Sequence, residues 1–376
     1  MDSLFTDGSV RLDLLNKHSR TRWAALPKGV IPLTAADPDF LVAAEIREAI
    51  IELGREGTFS YGESHGKLGF REVIADTVRS RKRIKCTPED VMVTSGVAQA
   101  MMLVAKYALK PGDEAILFDP VDFLVGKAVD EAGGKRVYSR VDKETRRFDV
   151  DGLNELVTPR TRLLCICNPH NPLGRVLTEA ELRGMAEVAV ENDLVIMSDE
   201  IWSDIVYKGR RHVSTVSLGP EVAERTVSLY GFSKTFAMAG LSLGYAVATD
   251  PGVMEGLKRV APGYFYTVNS VSQAAGEAAY SKAWYWAEAF LEHLHDLRNY
   301  VCSRLGEMEG VTCHEPEGTY AVFPDISSFG KTSVEMTRFL LEEAKVAVVP
   351  GHGEGFSYFG PGGEGNIRMV FSTSRV

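Results

Sequence analysis

Between Val91 and Val247 short apolar runs alternate with segments of helical pattern, and this alternation restricts the fold more than any other feature of the 376 residues. Strands are expected at Val91 to Thr94, Glu114 to Phe118, Arg136 to Ser139, Thr161 to Cys167, Leu194 to Ser198 and Thr226 to Tyr230. Helices are expected between them, at Val97 to about Leu109, Phe123 to Gly133, Val150 to Val157 and Glu179 to Glu191. The strand runs are rich in Val, Ile and Leu, the pattern of strands covered on both faces. The implied architecture is α/β, a mostly parallel sheet sandwiched by helices.

The flanks read differently. Residues 1 to about 30 form an arm with a short helix, followed by IPLTAADPDF (Ile31 to Phe40). Helical periodicity over Ala43 to Leu53 and over Lys67 to Lys82 brackets a glycine-rich loop, Phe59 to Gly66. Beyond Pro251, a long helical stretch from Ser270 to about Leu305 leads to strands at Val311 to Cys313, Tyr320 to Phe323 and Ala347 to Val349, around a helix at Ser333 to Lys345. The run Gly351 to Gly365 is a long loop of the kind that borders active sites. A chain of this length is expected to form two domains. The division expected here is 1–45 as an arm joining the small domain, 46–255 as the large domain, 256–300 as an interdomain helix and 301–376 as a small α+β domain.

A net charge of -9 argues against nucleic acid or an anionic membrane as the main partner. The N-terminus lacks the basic and apolar regions of a secretory signal, and no apolar run reaches transmembrane length. Five cysteines, with Cys165 and Cys167 alternating inside a strand run, point to reduced thiols in a cytoplasmic protein. No second pair accompanies that CxC, so no metal is expected.

Four polar residues stand in apolar surroundings. Lys234, in TVSLYGFSKTFAMAGLSLGYAV, lies between Phe232 and Phe236 with no acid near it in sequence. It is either a surface lysine at a strand end or a desolvated amine able to condense with a carbonyl. Asp199 directly follows the run LVIM plus Ser198, and is either a helix cap or the partner of a buried cation. Arg368 sits in the late strand NIRMVF, where its guanidinium calls for a carboxylate from the protein or from a ligand. Asn171 lies in the rigid turn Asn168-Pro169-His170-Asn171-Pro172-Leu173-Gly174 at a strand's carboxyl end. Ser95-Gly96-Val97-Ala98 joins a strand to a helix start, a position suited to an anion but also common structural grammar.

Together these motifs resemble, in order and over nearly the whole chain, the aminotransferase class I/II superfamily of fold-type I enzymes dependent on pyridoxal phosphate (PLP). The resemblance implies a Schiff base between PLP and Lys234, a large domain that binds the cofactor, and Asp199 on the pyridine nitrogen. It further implies phosphate binding by the amides of Val97 and Ala98, and Asn171 on the 3′-oxygen and the substrate carboxylate. Arg368, with Ala36 and Asn171, would hold an amino acid substrate, and a 2-oxo acid would be the acceptor. Tyr61 resembles the tyrosine that reaches the neighbouring subunit's phosphate, implying a homodimer with shared sites.

Three positions depart from the pattern. Trp202 replaces the tyrosine on the 3′-oxygen, Ser242 replaces the arginine on the phosphate, and Asp122, followed by Phe123, replaces the aromatic that stacks on the ring. The turn NPHNP and the run DEIWSD are similar to the cystathionine β-lyase (MalY/PatB-type) branch. The expected reaction is amino transfer. The alternatives are carbon–sulfur β-elimination, a specialised elimination, cyclisation or oxidation, and a silent regulator that keeps the fold. Trp202, Tyr264, Phe265 and Tyr266 point to an apolar or aromatic substrate pocket.

Overall fold

The computed structural model describes residues 4–19, 21–264, 267–353 and 358–375. A short strand, β1 (Ile31–Pro32), precedes the seven strands of the main sheet. These are β2 (Val91–Thr94), β3 (Glu114–Asp119), β4 (Lys135–Arg140), β5 (Thr161–Cys167), β6 (Val195–Asp199), β7 (Thr226–Gly231) and β8 (Gly244–Val247). Their order is β2-β8-β7-β6-β5-β3-β4. Neighbours among β3 to β7 are parallel, and β8 alone is antiparallel to the strands on its two sides. Because β2 and β7 both oppose β8, the carboxyl ends of β2, β3, β5, β6 and β7 share one edge. Ligands of open α/β sheets bind outside that edge.

The period-2 geometry of the strands explains the sandwich. Ala115, Leu117, Leu163, Cys165, Met197 and Leu229 face one layer, against Val97, Met101 and Val104 of the helix Val97–Ala108. Ile116, Phe118, Leu164, Ile166 and Ile196 face the other, against Leu182, Met185 and Ala189 of the helix Glu179–Glu191. Cys165 and Cys167 are buried free thiols of the first layer.

The last four strands are β9 (Ala321–Val322), β10 (Val346–Ala347), β11 (Val349–Pro350) and β12 (Ile367–Val370). Three of them form an antiparallel sheet of order β11-β12-β9, while β10 pairs in parallel with β1. The segment after β1 is thereby laid across the edge where the main sheet's strands end.

Several expected boundaries change. The helix at Val150 to Val157 shrinks to Leu153–Leu156, because Asp149 Oδ1 accepts the Gly152 N–H at 3.0 Å and sets a local turn. The strand at Val311 to Cys313 is only a bridge between Thr312 and Asp325. The stretch from Ser270 divides at Ala283 into Ser270–Lys282 and Trp284–Gly306, letting Trp284 stack on Tyr280 with centroids 5.4 Å apart. Helices Leu68–Thr77 and Ser333–Phe339 each end in a wider turn, Val78–Lys82 and Leu340–Ala344, closed by Arg83 and Lys345 in the left-handed region. Among the described residues no helix is long and apolar enough to cross a membrane.

Candidate active site

A cavity of about 410 Å³ opens at the shared carboxyl edge. Ala36, Val97, Ala98, Asp122, Phe123, Asn171, Asp199, Trp202, Lys234, Ser242 and Arg368 all line it, so the structure gathers eleven of the twelve candidate residues. Tyr61 is the exception. It lies on the surface, 85% exposed, and is not part of the cavity wall. Tyr264 is also exposed and outside the wall, while Phe265 and Tyr266 lie outside the described residues.

Lys234 owes its position to its neighbours. Phe232 and Phe236 are fully buried and pack against Tyr280, and Phe236 N–H closes a turn on Phe232 O at 3.0 Å. Burying two such rings stabilises the turn by about 1.5–3 kcal/mol each, and Lys234 is left facing the cavity. Its Nζ donates to Ala36 O at 2.7 Å and lies 5.3 Å from the centroid of the Trp202 ring. Burial lowers its pKa, opposed by the charges of Asp122, Asp37 and Asp199 and assisted by Arg368. The acids absent from its sequence neighbourhood are therefore present in space.

Asp199 is the last residue of β6, 4% exposed. Its Oδ1 accepts Ile201 N–H at 3.2 Å and its Oδ2 accepts the Cys167 thiol at 3.7 Å. Burial raises its pKa to about 7; Asp122 raises it too, against lowering by the Ile201 N–H, the thiol and Lys234. The capping alternative fails, because residues 201–204 are turns and no helix begins there. Behind it, Glu200 accepts the hydroxyls of Ser198, Ser214, Ser228 and Tyr230 and fixes the ends of β6 and β7.

Arg368, on β12, donates Nη2 to Thr34 O at 2.6 Å and stands over the Phe359 ring at 5.1 Å. It joins no ion pair among the described residues, and its Nε has no hydrogen-bond partner. Burial lowers its pKa, opposed by Asp122 and Tyr320. Asn171 donates Nδ2 to Asp122 Oδ2 at 2.7 Å. The other oxygen of Asp122 accepts Leu124 N–H at 2.9 Å and caps the helix Phe123–Glu131. Trp202 is buried edge-on to Tyr320, with centroids 4.6 Å apart.

At the far end of the cavity stands the N-terminus of Val97–Ala108, whose first amides have no partner inside the helix. Close approach depends on glycine. A Cβ on Gly244 would lie 2.8 Å from Gly96 C and from Val97 N, and Gly96 itself has φ 88°. Ser95, Ser233 and Ser242 contribute the surrounding hydroxyls. Lys234 and Arg368 are the basic residues among the described wall. Ser242, at φ 47°, brings a neutral hydroxyl to the place where the family pattern has an arginine.

Sequence reading missed Tyr320, Thr34 and Asp37. Tyr320 OH donates to Ala36 O at 3.1 Å, joining Lys234 on one carbonyl. Thr34 and Asp37 belong to the segment IPLTAADPDF, whose only local signal was its place between the arm and the helix expected from Ala43.

These residues fit PLP on their own chemistry. A buried carboxylate without a cation suits a pyridinium, partnerless helix amides suit a phosphate, and a desolvated lysine suits an aldehyde.

The family model described as aminotransferase class I and II matches residues 28–375. An aspartate aminotransferase of Pyrococcus abyssi is 36% identical, and aromatic-amino-acid aminotransferase 2 of Thermococcus litoralis 34%; each alignment covers 97% of this chain and 94% of the relative. The aromatic aminotransferase structure of Pyrococcus horikoshii superposes with TM-score 0.86 at 34% identity, over 93% of this chain and 92% of that one. A PLP-containing cystalysin of Treponema denticola, 22% identical with TM-score 0.88 over 99% and 95% of the two chains, shares the fold.

Proposed function

The chain belongs to the aminotransferase class I and II family and is a PLP-dependent aminotransferase; from that premise we propose that its cavity transfers the amino group of an L-amino acid to a 2-oxo acid in a cytoplasmic homodimer. The carrying observation is that Lys234, Asp199, Asn171 and Arg368 meet in one cavity with the start of the helix Val97–Ala108. Bound PLP supplies an aldehyde for amines and a ring that accepts electrons from the α-carbon.

The chain's residues supply the rest. Lys234 would offer the amine that holds the cofactor's aldehyde. When free of it, Lys234 would be a base for the α-proton, and its depressed pKa favours the free amine. Asp199 would keep a proton on the ring nitrogen. The amides of Val97 and Ala98, with Ser242, would hold the phosphate. Arg368 and Asn171 orient the substrate carboxylate, with Ala36 alongside, while Trp202 and Phe123 form apolar walls. Tyr61 serves the site of a partner copy.

The relatives cited act, by name, on aromatic amino acids and aspartate. Mass spectrometry of products from an amino acid panel, with and without 2-oxo acids, tests the reaction. Acceptor-dependent appearance of a new amino acid is expected. Release of pyruvate, ammonia and thiol without acceptor would transfer the chain to the β-lyase branch.

A further inference from the structure

In the proposed reading, one charged side chain of the cavity wall is left without a group to pair with. The wall carries Asp122, Asp199, Lys234 and Arg368. In that reading Asp199 would face the ring nitrogen, Arg368 the substrate's α-carboxylate, and Lys234 the cofactor's aldehyde. The hydrogen bonds of Asp122 come only from neutral donors, Leu124 N–H and Asn171 Nδ2. It forms no ion pair among the described residues, although its field reaches both Lys234 and Arg368. Bound cofactor adds to this imbalance, since its phosphate carries close to two negative charges and Ser242 brings no charge to meet it. A carboxylate half-buried at a ligand wall is costly unless a cation comes with the ligand.

We propose that Asp122 is a specificity-determining residue that pairs with a positively charged side-chain group of the amino donor, so that the substrates are basic amino acids. This rests on the reading of Arg368 as the α-carboxylate binder. A cationic side chain restores charge balance and places its charge where a carboxylate with fixed geometry already stands. Capping alone does not explain an acid here, because asparagine caps a helix about as well as aspartate. For the same reason Asp122→Asn preserves the start of Phe123–Glu131, and the acceptor it removes from Asn171 Nδ2 is lost equally for both members of each ligand pair, so their ratio reads the charge.

Two measurements on the PLP-loaded enzyme decide the proposal. The first compares kcat/KM for arginine with citrulline, which differ in a guanidinium against a neutral ureido group. The second uses calorimetry with 5-guanidinovalerate and 5-ureidovalerate, which lack the α-amino group and bind without reacting. Wild type is expected to favour the guanidinium member of each pair by about tenfold or more, the scale of one paired charge. Asp122→Asn is expected to bring both ratios to within about twofold while still binding the ureido compounds. Equal binding of the two valerates by wild type, or a preference that survives in Asp122→Asn, overturns the proposal. Failure to convert any amino acid with any 2-oxo acid would instead strike the aminotransferase reading, and the calorimetric ratio would still decide the role of Asp122.

Discussion

An ionised carboxylate inside a protein, with one backbone N–H and one thiol as partners, is costly to maintain, and this is the position of Asp199 before a ligand arrives. Its folded pKa of about 7 lies above the ordinary 3.8. The folded state therefore binds more protons than the unfolded state between those values, and stability falls as pH rises through that window. Cofactor-free Asp199→Asn is expected to melt at a higher temperature than cofactor-free wild type at about pH 8, with a smaller gain at about pH 5. The same substitution in the loaded enzyme should remove nearly all turnover, because an amide cannot hold the ring proton. A melting difference independent of pH, together with turnover within about tenfold of wild type, would return Asp199 to a structural role. At this scale the sequence was informative where a polar residue interrupts an apolar run, as at Asp199, Lys234 and Arg368. It was silent on Tyr320 and reached Ala36 only through the family resemblance, because nothing local marks a contact across the 198 positions that separate Ala36 from Lys234.

The helix Val97–Ala108 presents its N-terminus to the cavity because Gly244 on β8 leaves room for it. A helix start attracts an anion, but a charge-assisted pair with arginine adds about 1.5–3 kcal/mol per hydrogen bond, on the order of ten- to a hundredfold in affinity. Ser242 forgoes that contribution. Wild type is expected to lose PLP during dialysis against an amino donor, when the covalent hold through Lys234 is released, and Ser242→Arg is expected to retain it. Absorbance of the dialysed protein is the readout, and undiminished cofactor in wild type would mean that a cation from elsewhere meets the phosphate. The strands were legible as elements because burial on both faces writes them as unbroken apolar runs. The division of Ser270–Lys282 from Trp284–Gly306 was not, because Ala283 is a good helix former and the bend comes from the packing of Tyr280 and Trp284.

For the molecule as a whole, the alternation of strands and helices was enough to read the α/β sandwich, whereas assembly depends on surfaces that local patterns do not encode. Tyr61 and Phe59 are 85% and 59% exposed on the loop before Leu68–Thr77 and are not part of the wall of the chain's own cavity. A symmetric dimer would give these rings a buried environment and give each site a residue from its neighbour. Such a site can be rebuilt from two defective chains. Lys234→Ala removes the amine from one site, Tyr61→Phe removes the hydroxyl offered to the other, and a mixed dimer contains one site with both groups intact. If each variant is inactive alone, an equimolar mixture exchanged to equilibrium holds half its dimers as mixed pairs, each with one of two sites working. About a quarter of wild-type activity is then expected. Sedimentation should show the mixture as dimers, and mass spectrometry should detect the mixed species. Full activity in a monomeric preparation, or an inactive mixture in which mixed dimers are detected, would remove Tyr61 from the site and leave phosphate binding to the residues of a single chain.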